Sequence, residues 1–314
     1  MRLVLISGLS GSGKSVALNM LEDLDYYCVD NIPAGLLPSF IAHTVRSSES
    51  TYQLTAVGVD ARNRPSDIAS VPQLVNDLRT TGLACDVVFL RADEDALFKR
   101  YSETRRRHPL SREGLSLAEA IQQERALLKP IANAADLVID TTRTSVHELR
   151  ELIRQRVGAR DTGRMSILFE SFAYRQGLPG DADFVFDARS LPNPFWEPGL
   201  AALTGRDAAV VEFLDKHEPV QRMLADIQRF LENWIPDMIR TNRSYLTIAV
   251  GCTGGQHRSV YLVERLAAYF AEHYPLVAAK HQVVGRSDHE SGQETISRRG
   301  TDTTQRELTA KIGG

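Results

Sequence analysis

Short apolar runs alternate with amphipathic stretches through the first half of the chain. Leu3–Ile6 is a near-continuous apolar run, as a strand buried on both faces requires. Tyr26–Val29, Leu54–Val59, Val87–Leu90 and Leu137–Ile139 predict further strands. Helical patterns fall between them. Ser15–Leu24 follows the first strand, and Ser116–Leu128 sets Leu117, Ile121, Leu127 and Leu128 among Glu119, Gln122, Gln123, Glu124 and Arg125. Strands alternating with helices predict an α/β domain, a parallel sheet sandwiched between helices. Ser145-Val-His-Glu148 reads as a capping box, with Val146, Leu149, Leu152, Ile153 and Val157 as the apolar face of the helix it opens.

The pattern changes after residue 157. Gly158-Ala-Arg-Asp-Thr-Gly163 is polar and bounded by glycines, which marks 158–164 as a linker. Beyond it, Ser166–Phe169, Phe184–Ala188 and Tyr245–Val250 predict strands, with a turn at Gly177–Gly180 and helices through Trp234 and over Val260–Tyr274. Pro192, Pro194 and Pro198 exclude a ladder or helix there, so Trp196 sits in an irregular loop, where a tryptophan usually packs its loop down. From Gly285 the chain is polar without apolar periodicity and predicts a mobile tail over 285–314. The expected organisation is therefore a domain over 1–157, a linker over 158–164, a smaller α/β domain over 165–284, and the tail.

Composition narrows the class more than the function. The 314 residues are 43% hydrophobic and 25% charged, with a formal net charge of −3, as in an ordinary globular protein. That balance excludes a wholesale cationic coat for nucleic acid. The three cysteines, Cys28, Cys85 and Cys252, are far apart and form neither a disulfide framework nor a zinc pair, which fits a reducing cytoplasm. The apolar start of the chain is too brief for a secretory signal, and no apolar run is long enough to span a bilayer.

Gly8-Leu-Ser-Gly-Ser-Gly-Lys-Ser15 matches the P-loop pattern G-x-x-x-x-G-K-[ST] in full. Gly8, Gly11 and Gly13 let the backbone wrap a polyphosphate closely, with Leu9, Ser10 and Ser12 supplying further amides. Lys14 brings a point charge to the β- and γ-phosphates, and the Ser15 hydroxyl is a magnesium ligand. The following helix aims its positive end at the same anion. A nucleoside triphosphate with magnesium is the expected ligand.

Other residues at predicted strand ends carry two readings each. Asp30 is placed to hold magnesium through water, or to shape the turn before Pro33. Asp60, Ala61, Arg62 and Asn63 either read a purine edge and a phosphate or simply form a turn. The densest basic run, Lys99–Pro109, is either an arginine lid over transferring phosphates or a solvated helix face ended by Pro109, with His108 at its C-terminal end.

A second glycine-rich loop follows the predicted strand Tyr245–Val250. In Gly251-Cys-Thr-Gly-Gly-Gln-His-Arg-Ser259, the amides around Thr253, Gly254 and Gly255, together with His257, Arg258 and Ser259, predict a phosphate or sulfate site. Cys252 and Arg258 also have the spacing of a cysteine phosphatase, although no leaving-group acid is identifiable. A binding pocket is the favoured reading.

Taken together, these motifs resemble the RapZ family of bacterial nucleotide-binding proteins. The resemblance is carried by Gly8–Ser15, Tyr27–Asn31, Asp60–Asn63, Arg105–Leu110, Leu191–Pro194, Ser244–Thr247 and Gly251–Val260. It implies an N-terminal P-loop NTPase domain with a kinase-like parallel sheet, and weak hydrolysis of ATP and GTP. It also implies GTP contacts at Asp60–Asn63 and a sugar-phosphate site at Thr253, Gly254, Gly255, His257, Arg258 and Ser259. The best-studied members are adapters that sense glucosamine-6-phosphate and present a small regulatory RNA to ribonuclease E. Those are the expected partners, along with further copies of the chain in a homo-oligomer. Two departures stand out. Phe195 occupies the place of a histidine that adapter-type members carry before the tryptophan, and it cannot hydrogen-bond a sugar. From Pro275 to Gly314 six Lys/Arg face five Asp/Glu, so this tail alone would bind RNA weakly. The alternative from another class is a small-molecule kinase that uses the P-loop and the arginine run.

Overall fold

The computed structural model describes residues 1–47, 50–111, 115–158, 165–241 and 243–284. The expected tail over 285–314, and all of the expected linker except Gly158, lie outside these residues. In chain order the elements of the first half are β1 (Arg2–Gly8), α1 (Lys14–Glu22), β2 (Tyr27–Val29), α2 (Leu37–Arg46), β3 (Leu54–Gly58) and α3 (Pro65–Thr80). There follow β4 (Ala84–Arg91), α4 (Glu94–Thr104), α5 (Leu117–Asn133), β5 (Leu137–Asp140) and α6 (Val146–Ile153), which runs into a π turn over Arg154–Gly158. The second half holds β6 (Ser166–Ala173), β7 (Phe184–Asp187), α7 (Ala208–Asp215), α8 (Glu218–Arg240), β8 (Tyr245–Cys252), α9 (Arg258–Ala271) and β9 (Val277–His281).

The first five strands form one parallel sheet in the order β2-β3-β1-β4-β5. Its centre is β1, every residue of which is buried, as the unbroken apolar run requires. Leu3 and Leu5 point to one face, where Ile68, Val71 and Val75 of α3 and Leu128 and Ile131 of α5 close over them. On the alternate face α1 lies against β1 and packs with α6. Each such Leu or Ile taken from water contributes about 1.5–3 kcal/mol, so the stack over β1 holds the strand that carries the first glycine loop.

The second sheet has the order β7-β8-β6-β9, with β7 parallel to β8. By compactness the chain divides into two units. Of the described residues, one comprises Met1–Ile167 with Glu232–Leu246 and His273–Ala278; the other comprises Leu168–Leu231 with Thr247–Glu272 and those from Ala279 on. Both sheets are covered by helices in an α/β arrangement.

Local details depart from expectation at several points. The capping box at Ser145 and Glu148 is present in both directions, but Val146 is 62% exposed and is no part of the apolar face. A second box, Ser116 with Glu119, starts α5. The basic run does not stay helical to Pro109: α4 stops at Thr104, with Arg105 left-handed at φ 50°. The proline-rich loop makes one 3-10 turn over Pro194–Trp196, and Trp196 is 78% exposed instead of packing the loop down. β9 lies in a stretch to which the apolar pattern assigned no element.

Candidate functional site

The strand order delivers several chain ends to one edge. The C-terminal ends of β1, β3 and β4 lie side by side, with Ile6 opposite Gly58 and Gly8 opposite Leu90. Parallel α/β sheets bind ligands at this edge, and here Gly8–Ser15, Asp30, Asp60 and Thr141 all leave their strands.

Gly8 takes φ 148°, and a Cβ there would lie 2.1 Å from the Leu90 carbonyl oxygen, so only glycine lets β1 and β4 close up where the loop begins. Leu9 N donates to that same carbonyl at 3.1 Å, and Ser12 N donates to Leu9 O at 3.0 Å. Gly13, left-handed at φ 104°, turns the chain into α1. The amides of Lys14, Ser15 and Val16 are in the first turn of α1 and precede its first intrahelical donor, Ala17 N to Gly13 O. They face the loop mouth together with the positive end of the helix dipole.

The loop is pinned from outside. Arg100 of α4 donates through Nη1 to Gly11 O and to Thr141 Oγ1, both at 3.0 Å, and Thr141 Oγ1 donates to Ser12 O at 2.9 Å. With the Ser12 carbonyl held on Thr141, the Gly13 amide of the same peptide is turned the other way, while the Ser12 amide is spent on Leu9 O. Lys14 Nζ folds back onto Gly8 O at 2.7 Å and Leu9 O at 3.1 Å. Burial pulls its ammonium below the ordinary lysine value, opposed by the carboxylates of Glu124, then Asp60, then Asp30.

Beneath the loop lies a buried polar cluster. Glu124 of α5, fully buried, accepts from Ser10 N at 2.9 Å and from Ser10 Oγ at 2.6 Å. His108 Nε2 is 3.0 Å from the same Oε2 that meets Ser10 N. Because Leu110 N donates to His108 Nδ1 at 3.1 Å, the ring proton must be on Nε2, which therefore donates to Glu124. Burial pushes the Glu124 carboxyl up, but the hydrogen bonds from His108 and Ser10 and the charge of Lys14 outweigh it and hold it below the ordinary glutamate value. Tyr101, its ring tilted against that of His108, has its hydroxyl pushed up to about 12 by burial and by Glu124.

The neighbouring strand ends are tightly turned. The Asp60 carboxylate accepts from Arg62 N at 2.9 Å and is gripped by the Arg62 guanidinium. Asn63 Oδ1 accepts from Ala34 N at 2.6 Å, and its amide donates to Asp60 O at 3.2 Å. Asp30 is exposed at the end of β2, its carboxylate over Gly58, where a Cβ would come within 2.8 Å. Ser15 is exposed at the loop mouth. Arg105, Arg106 and Arg107 are exposed beyond α4.

In the second unit, β8 feeds the loop that opens α9. Thr253 is exposed and Gly254 has no atom within 4 Å of an added Cβ, so the loop's outer turn is open. Its inner turn is packed: a Cβ on Gly255, at φ 68°, would strike Ala173 at 2.9 Å. Cys252 is 2% exposed, with Sγ accepting from Gly255 N at 3.2 Å and 3.2 Å from Ser259 Oγ. Burial raises this thiol, yet the Ser259 and Gly255 contacts and the Arg258 charge hold it below the ordinary cysteine value. Arg258 is buried, and its Nη1 ties down the carbonyls of Arg189 at 2.8 Å and Leu191 at 2.9 Å. His257 Nε2 meets Leu200 O at 3.1 Å, and burial lowers its pKa. Arg258 and His257 thus fasten the proline-rich segment to the loop, while Arg258 Nε, also buried, finds no partner among the described residues.

Family models match both halves of the chain: the RapZ-like N-terminal domain over residues 1–161 and the RapZ C-terminal domain over 165–285. The chain belongs to the RapZ family. A relative from Thioalkalivibrio sulfidiphilus is 52% identical over 283 residues, covering 90% of this chain and 99% of that protein. One from Nitrosococcus oceani is 52% identical over 282 residues, with the same coverage. Both are described as nucleotide-binding proteins. Among solved structures, shikimate kinase from Bacteroides thetaiotaomicron aligns over 49% of this chain and 96% of its own, at 13% identity and a TM-score of 0.33, too loose a likeness to bear on function. No described helix of this RapZ-family chain is long and apolar enough to cross a membrane, and no described group of His, Cys, Asp or Glu is arranged to hold a metal ion by itself.

Within this RapZ-family fold the P-loop residues are brought together with Asp30 and Asp60 at one sheet edge, while the Thr253–Ser259 loop is built separately in the second unit. Glu124 and Thr141 escaped the motif reading, while Arg100 and His108 lay in the basic run read as a lid or a solvated face and not as anchors of the P-loop. One signal was available: Leu117, Ile121, Glu124, Leu128 and Ile131 share one stripe of α5, so an acid stands in an apolar row.

Proposed function

We propose that the chain binds a nucleoside triphosphate with magnesium, ATP or GTP, at Gly8–Ser15 and hydrolyses it slowly as a regulatory protein. The observation that carries the reading is the pinning of the Gly11 and Ser12 carbonyls by Arg100 and Thr141, which holds the loop with the Gly13 amide and the first-turn amides of α1 left for an anion. Lys14, now folded on Gly8 O and Leu9 O, swings to the β- and γ-phosphates. Magnesium fits beside the exposed Ser15 hydroxyl, with Asp30 or the Asp60 carboxylate reaching it through water. The turn at Asp60–Asn63 borders the same space, and Arg62, half exposed on Asp60, is free to pivot toward phosphate or base. In this role Asp60 and Asn63 shape the turn first and contact nucleotide second. Lys14→Ala should weaken fluorescent-nucleotide binding about 10- to 100-fold, the worth of charged hydrogen bonds to phosphate. Unchanged affinity would refute the assignment.

A second ligand is favoured at Thr253–Ser259, where the Gly254 turn is open and the buried Nε of Arg258 has no partner among the described residues. A phosphorylated sugar is the proposed class, with glucosamine-6-phosphate as the first compound to try. The small regulatory RNA and ribonuclease E remain proposals that follow from family membership. Calorimetry on Gly254→Ala should show weaker sugar-phosphate binding at unchanged stability, because the added methyl enters open space; wild-type binding would move the ligand elsewhere.

A further inference from the structure

The P-loop and the arginine segment beyond α4 are joined by one buried side chain. Oε2 of Glu124 accepts from both Ser10 N and His108 Nε2, and Oε1 accepts from Ser10 Oγ. Both partners of the His108–Glu124 pair have side chains closed to solvent. His108 follows directly on Arg105, Arg106 and Arg107, the exposed end of the basic run. Leu110 N fixes the histidine tautomer, so the ring has one proton to give, and it gives it to Glu124. A rigid anchor for a loop that must keep several amides aimed at one anion is what preorganised binding requires.

We propose that Glu124 is a positioning residue of the nucleotide site: its hydrogen bonds set the P-loop turn at Ser10 and, through His108, tie that turn to the Arg105–Arg107 segment. The proposal rests on the nucleotide reading of the P-loop. Occupancy of the loop then tightens the arginine segment, and a loosened segment weakens the loop.

The side-chain chemistry separates bonding from charge. In Glu124→Gln, the amide oxygen can still accept from Ser10 N and His108 Nε2, while the new NH2 donates to the Ser10 hydroxyl. Glu124→Ala strands three buried donors, Ser10 N, Ser10 Oγ and His108 Nε2. Nucleotide affinity is therefore expected to fall at least ~10-fold in Glu124→Ala and to be largely restored in Glu124→Gln. The second readout is limited trypsin cleavage after Arg105, Arg106 and Arg107, followed by mass spectrometry at saturating nucleotide. Nucleotide should slow this cleavage in the wild-type and Glu124→Gln proteins and leave it unchanged in Glu124→Ala. Wild-type affinity in Glu124→Ala overturns the proposal, as does an equal loss in both variants, which would assign the effect to charge. Nucleotide-independent cleavage in the wild type overturns the tie to the arginine segment. If Glu124→Ala does not fold, Ser10→Ala removes one bond alone and should cost about threefold in affinity; no loss there is equally fatal. Lys14→Ala runs alongside as the control. If it too binds normally, the P-loop reading has failed; if it alone loses binding, that reading stands and Glu124 has no positioning role.

Discussion

Replacing Gly8 with alanine tests whether the approach of β4 to the loop entrance governs the site. At φ 148° the new Cβ would lie 2.1 Å from Leu90 O and 2.8 Å from Leu90 N, both backbone atoms that no rotamer change can move. Ordinary contact is about 3.5 Å, so β1 and β4 must part by more than an ångström at Gly8. Three costs add: about 1–2 kcal/mol for alanine in this region of φ, about 1–3 for the overlap, and about 1 for the strained Leu9 N–Leu90 O bond. The sum is about 3–6 kcal/mol. Gly82→Ala is the matched control. Gly82 also has a positive φ, 83°, but a Cβ there meets nothing within 4 Å, so it bears only the first cost. Urea unfolding of the two variants, read in the cooperative transition that includes the first sheet, should separate them by about 2–4 kcal/mol. A difference under about 0.5 kcal/mol would refute the steric argument, since both share the backbone cost.

Other outcomes follow from the same geometry. Arg2 is buried on Asp86 at 3.0 Å and also bonds Tyr26 Oη and Val157 O, so Asp86→Ala should leave a buried guanidinium short of its counter-ion and lower stability by about 3–5 kcal/mol in denaturant titration. Glu124 has its folded pKa below the ordinary 4.5, so on acidification the unfolded chain takes up the proton first. Its stabilising contribution is therefore present above about 4.5 and lost as pH falls through the folded value. Glu124→Gln should flatten the pH dependence of unfolding in that window; an unaltered acid limb would show that other carboxyls set it.

The strand order could not be read along the chain, because order in a parallel sheet is decided by which helix covers which face. What was legible were features with a local cause. The apolar run at Leu3–Ile6 announced a strand buried on both sides, and the glycines of Gly8–Ser15 announced a backbone that must bend where side chains cannot follow. The capping box at Ser145 was equally plain, since its two bonds close within four residues. Val146 was misread because periodicity gives a face but not its edge. Glu124 was hidden for the opposite reason: its helix looks solvated until His108, sixteen residues earlier, and Ser10, far earlier still, are placed around it. The basic run misled in the same way, for Arg105 leaves helical geometry with no proline or glycine to warn of it. In the second loop the spacing of Cys252 and Arg258 allowed a catalytic alternative to the favoured binding pocket, and neither reading gave the arginine a structural part. The arginine instead spends its Nη1 on two carbonyls of a proline-rich segment that only folding brings near.

The central place of β1 also has a consequence for synthesis. The strand that carries the P-loop leaves the ribosome before both of its neighbours, β3 and β4, which end at Gly58 and Arg91. Until the chain through Arg91 has emerged, this largely apolar strand waits with at least one edge unpaired, the condition that invites mispairing or chaperone capture. The residues of β1 thus wait for partners made later in the chain, and the glycine loop attached to them cannot take shape before the nascent chain has delivered β4.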